Sequence, residues 1–85
     1  MQKALIASAQ IRAARALLRW SSHDLAAASG IGIATIKRME VMDGVPAGNV
    51  RTLVALQSAL EAEGIEFIEN TSGSIGVMLH EKKLL

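Results

Sequence analysis

The sequence predicts a mainly α protein, with four short helices over residues 1–64 and a β-hairpin over residues 65–85. Three observations predict it. Apolar residues recur at three- and four-residue intervals through four segments, as one face of a helix requires. Gly30, Gly64 and the Asp43–Gly48 stretch break that periodicity at intervals of a few turns. Beyond Gly64 the residues become β-branched and aromatic and alternate in character, as strands do.

The first helix is expected over residues 2–19. Ala7, Ile11, Ala14 and Leu18 fall on one face, and Arg12, Arg15 and Arg19 form a neighbouring stripe. Trp20 closes the segment and reads as a packing residue. Ser21-Ser22-His23-Asp24 is a capping-box pattern, with an acid three residues after a hydroxyl, and it starts a second helix that Gly30 stops. A third helix follows almost at once, from about Ile33 to Met42. Ile36 and Met39 share its inner face, and Lys37 and Arg38 lie off it. Asp43–Gly48 is a loop. Asn49 is a good N-cap for a fourth helix whose stripe is Leu53, Leu56 and Leu60, ended by Gly64. Ile65–Glu69 and the alternating stretch Ile75–His80, around a polar Asn70–Ser74 turn, form the hairpin. A lone two-stranded hairpin is barely stable in water, so this one needs the helices or a second hairpin against it.

Composition narrows the function. At 85 residues the chain is one small unit, and a second copy would help it bury enough surface. It has no cysteine, which excludes disulfides and thiolate metal sites and fits a reducing compartment. Neither a membrane-length apolar run nor a signal-peptide pattern is present, so a soluble cytoplasmic protein is the expectation. The overall charge is only +1. Its distribution is uneven: residues 1–52 hold seven basic against three acidic residues, a net +4, and residues 53–85 hold two against five, a net −3. A positive front half is what a polyanion would meet.

Two short helices joined by a tight turn, the second freely presented, are what reading the DNA major groove requires, since the groove accepts one helix with its side chains. The packing demands are specific. Ala26 is small where the second helix passes, Gly30 tolerates a positive φ in the turn, and Ile31, Ile36 and Met39 fill the space between the helices. Ser22, Ala26, Gly30 and Ile36 keep the expected rhythm.

On these residues the stretch Ile11–Met42 resembles the Cro/C1-type (XRE-type) helix-turn-helix domain of phage and bacterial repressors. The resemblance continues through the fourth helix to about Gly64, and the GIEFIEN tail resembles a short bacterial subgroup ending in a β-hairpin. It implies a lambda-repressor-like bundle and a role for each matching position. Arg15 and Glu40 fall where the family pairs an arginine on its first helix with a glutamate ending its recognition helix. That pair is structural, with Arg15 also near the phosphates. Ser22 stands where a glutamine commonly holds the DNA backbone. Ile33, Ala34 and Arg38 fall at base-reading positions, with Arg38 the specific reader, because arginine pairs bidentately with guanine. Lys37 and Arg51 suit phosphates, which position without specifying. Gly32 replaces the usual hydroxyl cap of the recognition helix, and Ile33 an often polar reader, so the reading surface is less polar than the family's usual one.

Other chemistries find little footing. His23 and His80 are the only histidines, far apart in sequence, and read as surface or capping residues, not metal ligands. Ser21, His23 and Asp24 lie within one helical turn and serve as a cap, not as a catalytic set. Gly30-Ile31-Gly32 lacks the preceding strand and the later Gly-Lys of a phosphate loop. No enzyme, cofactor or metal is expected. Two functions remain. The first is a dimeric, sequence-specific regulator, a repressor, that reads a palindromic operator and pairs its hairpin across the two-fold axis. The second is a protein-interaction module or antitoxin-like partner that keeps the fold with weak DNA binding.

Overall fold

In the computed structural model, which describes residues 5–81, Ser8–Leu18 (α1), Ser22–Ser29 (α2), Ile33–Glu40 (α3) and Val50–Ala62 (α4) precede the strands Ile65–Glu69 (β1) and Ile75–Leu79 (β2). The four helices and the antiparallel hairpin make a mainly α fold. One core runs through it: Ile11 and Ala14 of α1, Leu25 of α2, Ile36 and Met39 of α3, Leu53, Leu56 and Leu60 of α4, and Ile65 of β1. Leu18, Trp20, Ala26, Ile31, Phe67 and Val77 lie half-buried against it. Burying each large aliphatic side chain contributes about 1.5–3 kcal/mol, so residues spread over all six elements are tied by one interior.

The starts and stops follow side-chain chemistry. Ser21 caps α2 reciprocally: its hydroxyl accepts from the Asp24 N–H at 3.1 Å, and the Asp24 carboxylate accepts from the Ser21 N–H at 2.8 Å. Gly30 ends α2 at φ +76°, a left-handed conformation that favours glycine. The turn to α3 is held by the Ile31 N–H donating to Ser29 Oγ at 3.2 Å. Asn49 caps α4 through its side-chain oxygen, which accepts from the Arg51 N–H at 2.8 Å.

Three boundaries differ from the sequence expectation. The first helix starts at Ser8; residues 5–7 are not helical, and residues 2–4 of the expected helix lie outside the described residues. The cause is the Gln10 side chain, whose Oε1 accepts from the Ala7 N–H at 2.9 Å and so closes the helix end, while the Ser8 N–H is drawn to the Gly44 carbonyl at 2.9 Å. At its other end α1 stops at Leu18, because Arg19 turns left-handed at φ +58° and the Trp20 N–H closes on the Arg15 carbonyl. The third helix ends at Glu40, two residues before the expected Met42, because side chains of α1 take its last carbonyls, as described below.

The hairpin pairs Ile65 with Leu79, Phe67 with Val77 and Glu69 with Ile75. Gln10 reaches across from α1, its Nε2 donating to the carbonyls of Ile68 at 3.2 Å and Gly76 at 2.9 Å. Gly64, at φ +99°, joins α4 to β1 where the chain passes closest: a Cβ there would stand 2.8 Å from the His80 carbonyl oxygen. No helix of the described residues is long and apolar enough to cross a membrane.

Candidate functional site

The site is built around α3, whose two sides have opposite surroundings. The eight residues are short for a helix that must hold its own shape. Its inner side is therefore anchored. Ile36 is fully buried, Met39 and Glu40 nearly so.

The C-terminal end of α3 is held by α1. A helix end leaves carbonyls without partners, and these need donors when they are buried. The Ser8 hydroxyl donates to the Met39 carbonyl at 2.7 Å, and Arg12 Nη1 donates to the Glu40 carbonyl. Arg15 takes the Glu40 side chain bidentately, Nε to Oε2 at 2.7 Å and Nη2 to Oε1 at 2.8 Å, and its Nη1 donates to the Trp20 carbonyl at 2.9 Å. Arg15 and Glu40 thus meet in a part-buried pair that joins the end of α1, the link to α2 at Trp20 and the end of α3. The hydrogen bond to Glu40 raises the Arg15 pKa above the ordinary arginine value, burial opposes it, and the Glu40 charge adds to the rise. Two cations at the C-terminus of α3 also match the negative end of its dipole.

Among the described residues, the outer side of α3 makes no such contacts. Ala34, Lys37 and Arg38 are exposed, and Ile33 is half-buried in the first turn. Val41, just beyond the last turn, is 82% exposed. Ala34, Lys37 and Val41 follow one another at helical intervals, so Val41 extends the stripe that Lys37 occupies. Sequence reasoning missed it. Its signal was an apolar residue at the stripe position of Lys37 that has no place on the Ile36–Met39 face. Gly32 stands at the N-cap with extended backbone, φ −61° and ψ 143°, and offers the helix no side-chain cap.

The remaining residues singled out in the sequence are distributed around this helix. Ser22 is the first residue of α2, half-buried, and Arg51 lies exposed in the first turn of α4. All three guanidinium nitrogens of Arg15 face protein acceptors. His23 is exposed in the first turn of α2, and His80 Nε2 stands 2.6 Å from Glu66 Oε1 on the hairpin. Ser8, Gln10 and Arg12 were also missed. Small or polar residues on an N-terminal helix carry no mark in the sequence of which distant carbonyl they serve.

No family model, curated protein or solved structure matches this chain.

Proposed function

We propose that this protein is a sequence-specific double-stranded DNA-binding protein of the helix-turn-helix type, acting in the cytoplasm as a small dimeric transcription regulator, a repressor. One observation carries the reading. A short helix, α3, is anchored by its core face and by three α1 side chains at its C-terminus, while Ala34, Lys37 and Arg38 on its outer side are exposed. A helix held from behind and bare in front suits insertion into the major groove. Arg38 would pair with guanine, Ala34 and Ile33 would make apolar contacts to thymine methyls, and Lys37, Arg51 and Ser22 would take phosphates. Arg15 serves the reading by fixing the angle of α3 through Glu40.

Selection from a randomised duplex library tests it. The expected result is an enriched palindrome with half-sites about one helical turn apart, bound less tightly as salt rises. Absence of any enriched site overturns the reading.

A second reading, a protein-interaction module with an antitoxin-like partner, is favoured by the apolar share of the outer side of α3, Ala34 and the exposed Val41. The double variant Lys37→Ala, Arg38→Ala separates the two. Loss of duplex binding supports the regulator. Retained capture of one protein partner by a chain that never bound duplex supports the module.

A further inference from the structure

The two strands of the hairpin differ at their outer edges. The His80 N–H donates to the Gly64 carbonyl at 2.8 Å and the Asn70 N–H to the Ser74 carbonyl at 3.0 Å, which fixes the alternation of the antiparallel ladder. Ile65–Leu79, Phe67–Val77 and Glu69–Ile75 are therefore the pairs without hydrogen bonds between them, and their N–H and C=O groups point outward. On β1 that edge is guarded by charge, since the strand holds Glu66 and Glu69. On β2 it runs through Ile75, Val77 and Leu79, in a strand without one ionisable side chain. Ile75, Met78 and Leu79 are 47%, 49% and 38% exposed. Leu17, two turns from Gln10 on α1, lies on the side that reaches Gly76 and is itself exposed. An edge of this kind, uncharged and unpaired among the described residues, is a template for another strand.

We infer that the β2 edge is the homodimer contact, and that two copies pair β2 with β2 antiparallel about a two-fold axis at Val77, forming one four-stranded sheet. This inference rests on the dimeric reading above. A second copy fits the edge on its own terms. Ile75 falls opposite Leu79 of the second copy, joining exposed apolar residues on both sides of the axis. His80 falls opposite Ser74 and Glu81 opposite Gly73, so no like charges meet. The Val77 N–H and C=O of each copy satisfy those of the other, and a sheet of four strands is stable where two are marginal.

The register sets the test. Gly76 falls opposite Met78 of the second copy in a close pair without hydrogen bonds, with Cα atoms about 4.5 Å apart, a separation within the disulfide range. The chain has no native cysteine, and a Cβ added at Gly76 meets no atom within 4 Å. Gly76→Cys and Met78→Cys are made separately, checked for unchanged circular dichroism, and oxidised alone and mixed. The expected result is a covalent dimer in the mixture at several times the yield of either variant alone. Equal yield from a single variant, or no covalent dimer in the mixture, overturns the pairing. So does sedimentation of the unmodified chain as a monomer at high micromolar concentration. The oxidation is run without DNA and repeated with Lys37→Ala and Arg38→Ala added. An unchanged cross-link there supports the edge whatever becomes of the DNA reading. A chain that selects an operator but fails to cross-link sinks the edge alone.

Discussion

The two sides of α3 are separated by less than the width of one helix and are built on opposite terms. Behind it, Ile36, Met39 and Glu40 are buried, and Ser8, Arg12 and Arg15 of α1 close its carbonyls and its carboxylate. In front, Ala34, Lys37, Arg38 and Val41 lie open. The difference assigns separate tasks to neighbouring residues. Changes behind should alter stability and leave the reading chemistry intact, whereas changes in front should alter binding and leave stability intact. Lys37 and Ile36 are adjacent in sequence and should respond to different assays.

The largest effect is expected at Ile36→Ala. The side chain is fully buried in the core, and its removal leaves a cavity. A loss of about 3–4 kcal/mol follows, read by urea denaturation, and a loss under about 1 kcal/mol would mean that the inner side is not the anchor. Arg15→Ala comes next. It strands the nearly buried Glu40 carboxylate without its bidentate partner and frees the Trp20 carbonyl. The cost is about 3 kcal/mol, near the lower end for breaking a buried pair. Arg15→Ala with Glu40→Ala should be milder than Arg15→Ala alone, because no charge is left stranded. The pH sense is also fixed. The Arg15 pKa is raised in the folded state, so its contribution is fully present below the ordinary arginine pKa and is lost only as pH rises past it into strong alkali. Urea midpoints of the native chain and of Arg15→Ala should keep a constant gap through the neutral range.

On the open side the expected changes are in affinity. Arg38→Ala should weaken binding to the selected duplex by about 10- to 100-fold and relax the preference at one base pair. Lys37→Ala should weaken all duplexes alike and lower the salt slope by about one. Neither should move the urea midpoint by more than about 0.5 kcal/mol equivalent. A stability loss comparable to that of Ile36→Ala would erase the distinction between the two sides.

How far this was legible in the sequence depends on the range of the interaction. Local devices were readable. The Ser21–Asp24 box, Gly30 with its positive φ and the Asn49 cap each lie within four residues of what they act on. The Leu53–Leu56–Leu60 stripe and the existence of the hairpin were readable from periodicity alone, whereas its register was not. What escaped is long-range and polar. The start of α1 depends on Gln10 and on a carbonyl at Gly44, and nothing in residues 5–7 distinguishes a helix from the non-helical entry that forms there. Gln10 also serves Ile68 and Gly76, and Ser8 serves Met39, at separations that no pattern along the chain records. The Arg15–Glu40 meeting spans 25 residues, and it was expected from the family resemblance and not from spacing.

The smallest change concerns the junction of the two sides, at the N-terminus of α3. There the helix is neither buried behind nor bonded in front, since Gly32 supplies the backbone of an N-cap and no acceptor. Its φ of −61° and ψ of 143° are open to any residue, and a Cβ at that position meets nothing within 4 Å. Gly32→Ser therefore adds a hydroxyl that accepts from an N–H of the first turn, and it removes some of the unfolded chain's freedom. The gain should be about 0.5 kcal/mol in urea, with duplex affinity changed less than by Arg38→Ala. If the gain in stability comes with a large loss of affinity, the bare N–H groups of that first turn are themselves DNA contacts, and the open side of α3 extends through its N-terminus as well as along Lys37 and Arg38. If affinity holds, the open side begins at Ile33, and the weak cap at Gly32 is only a local loss that the anchored end of the helix offsets.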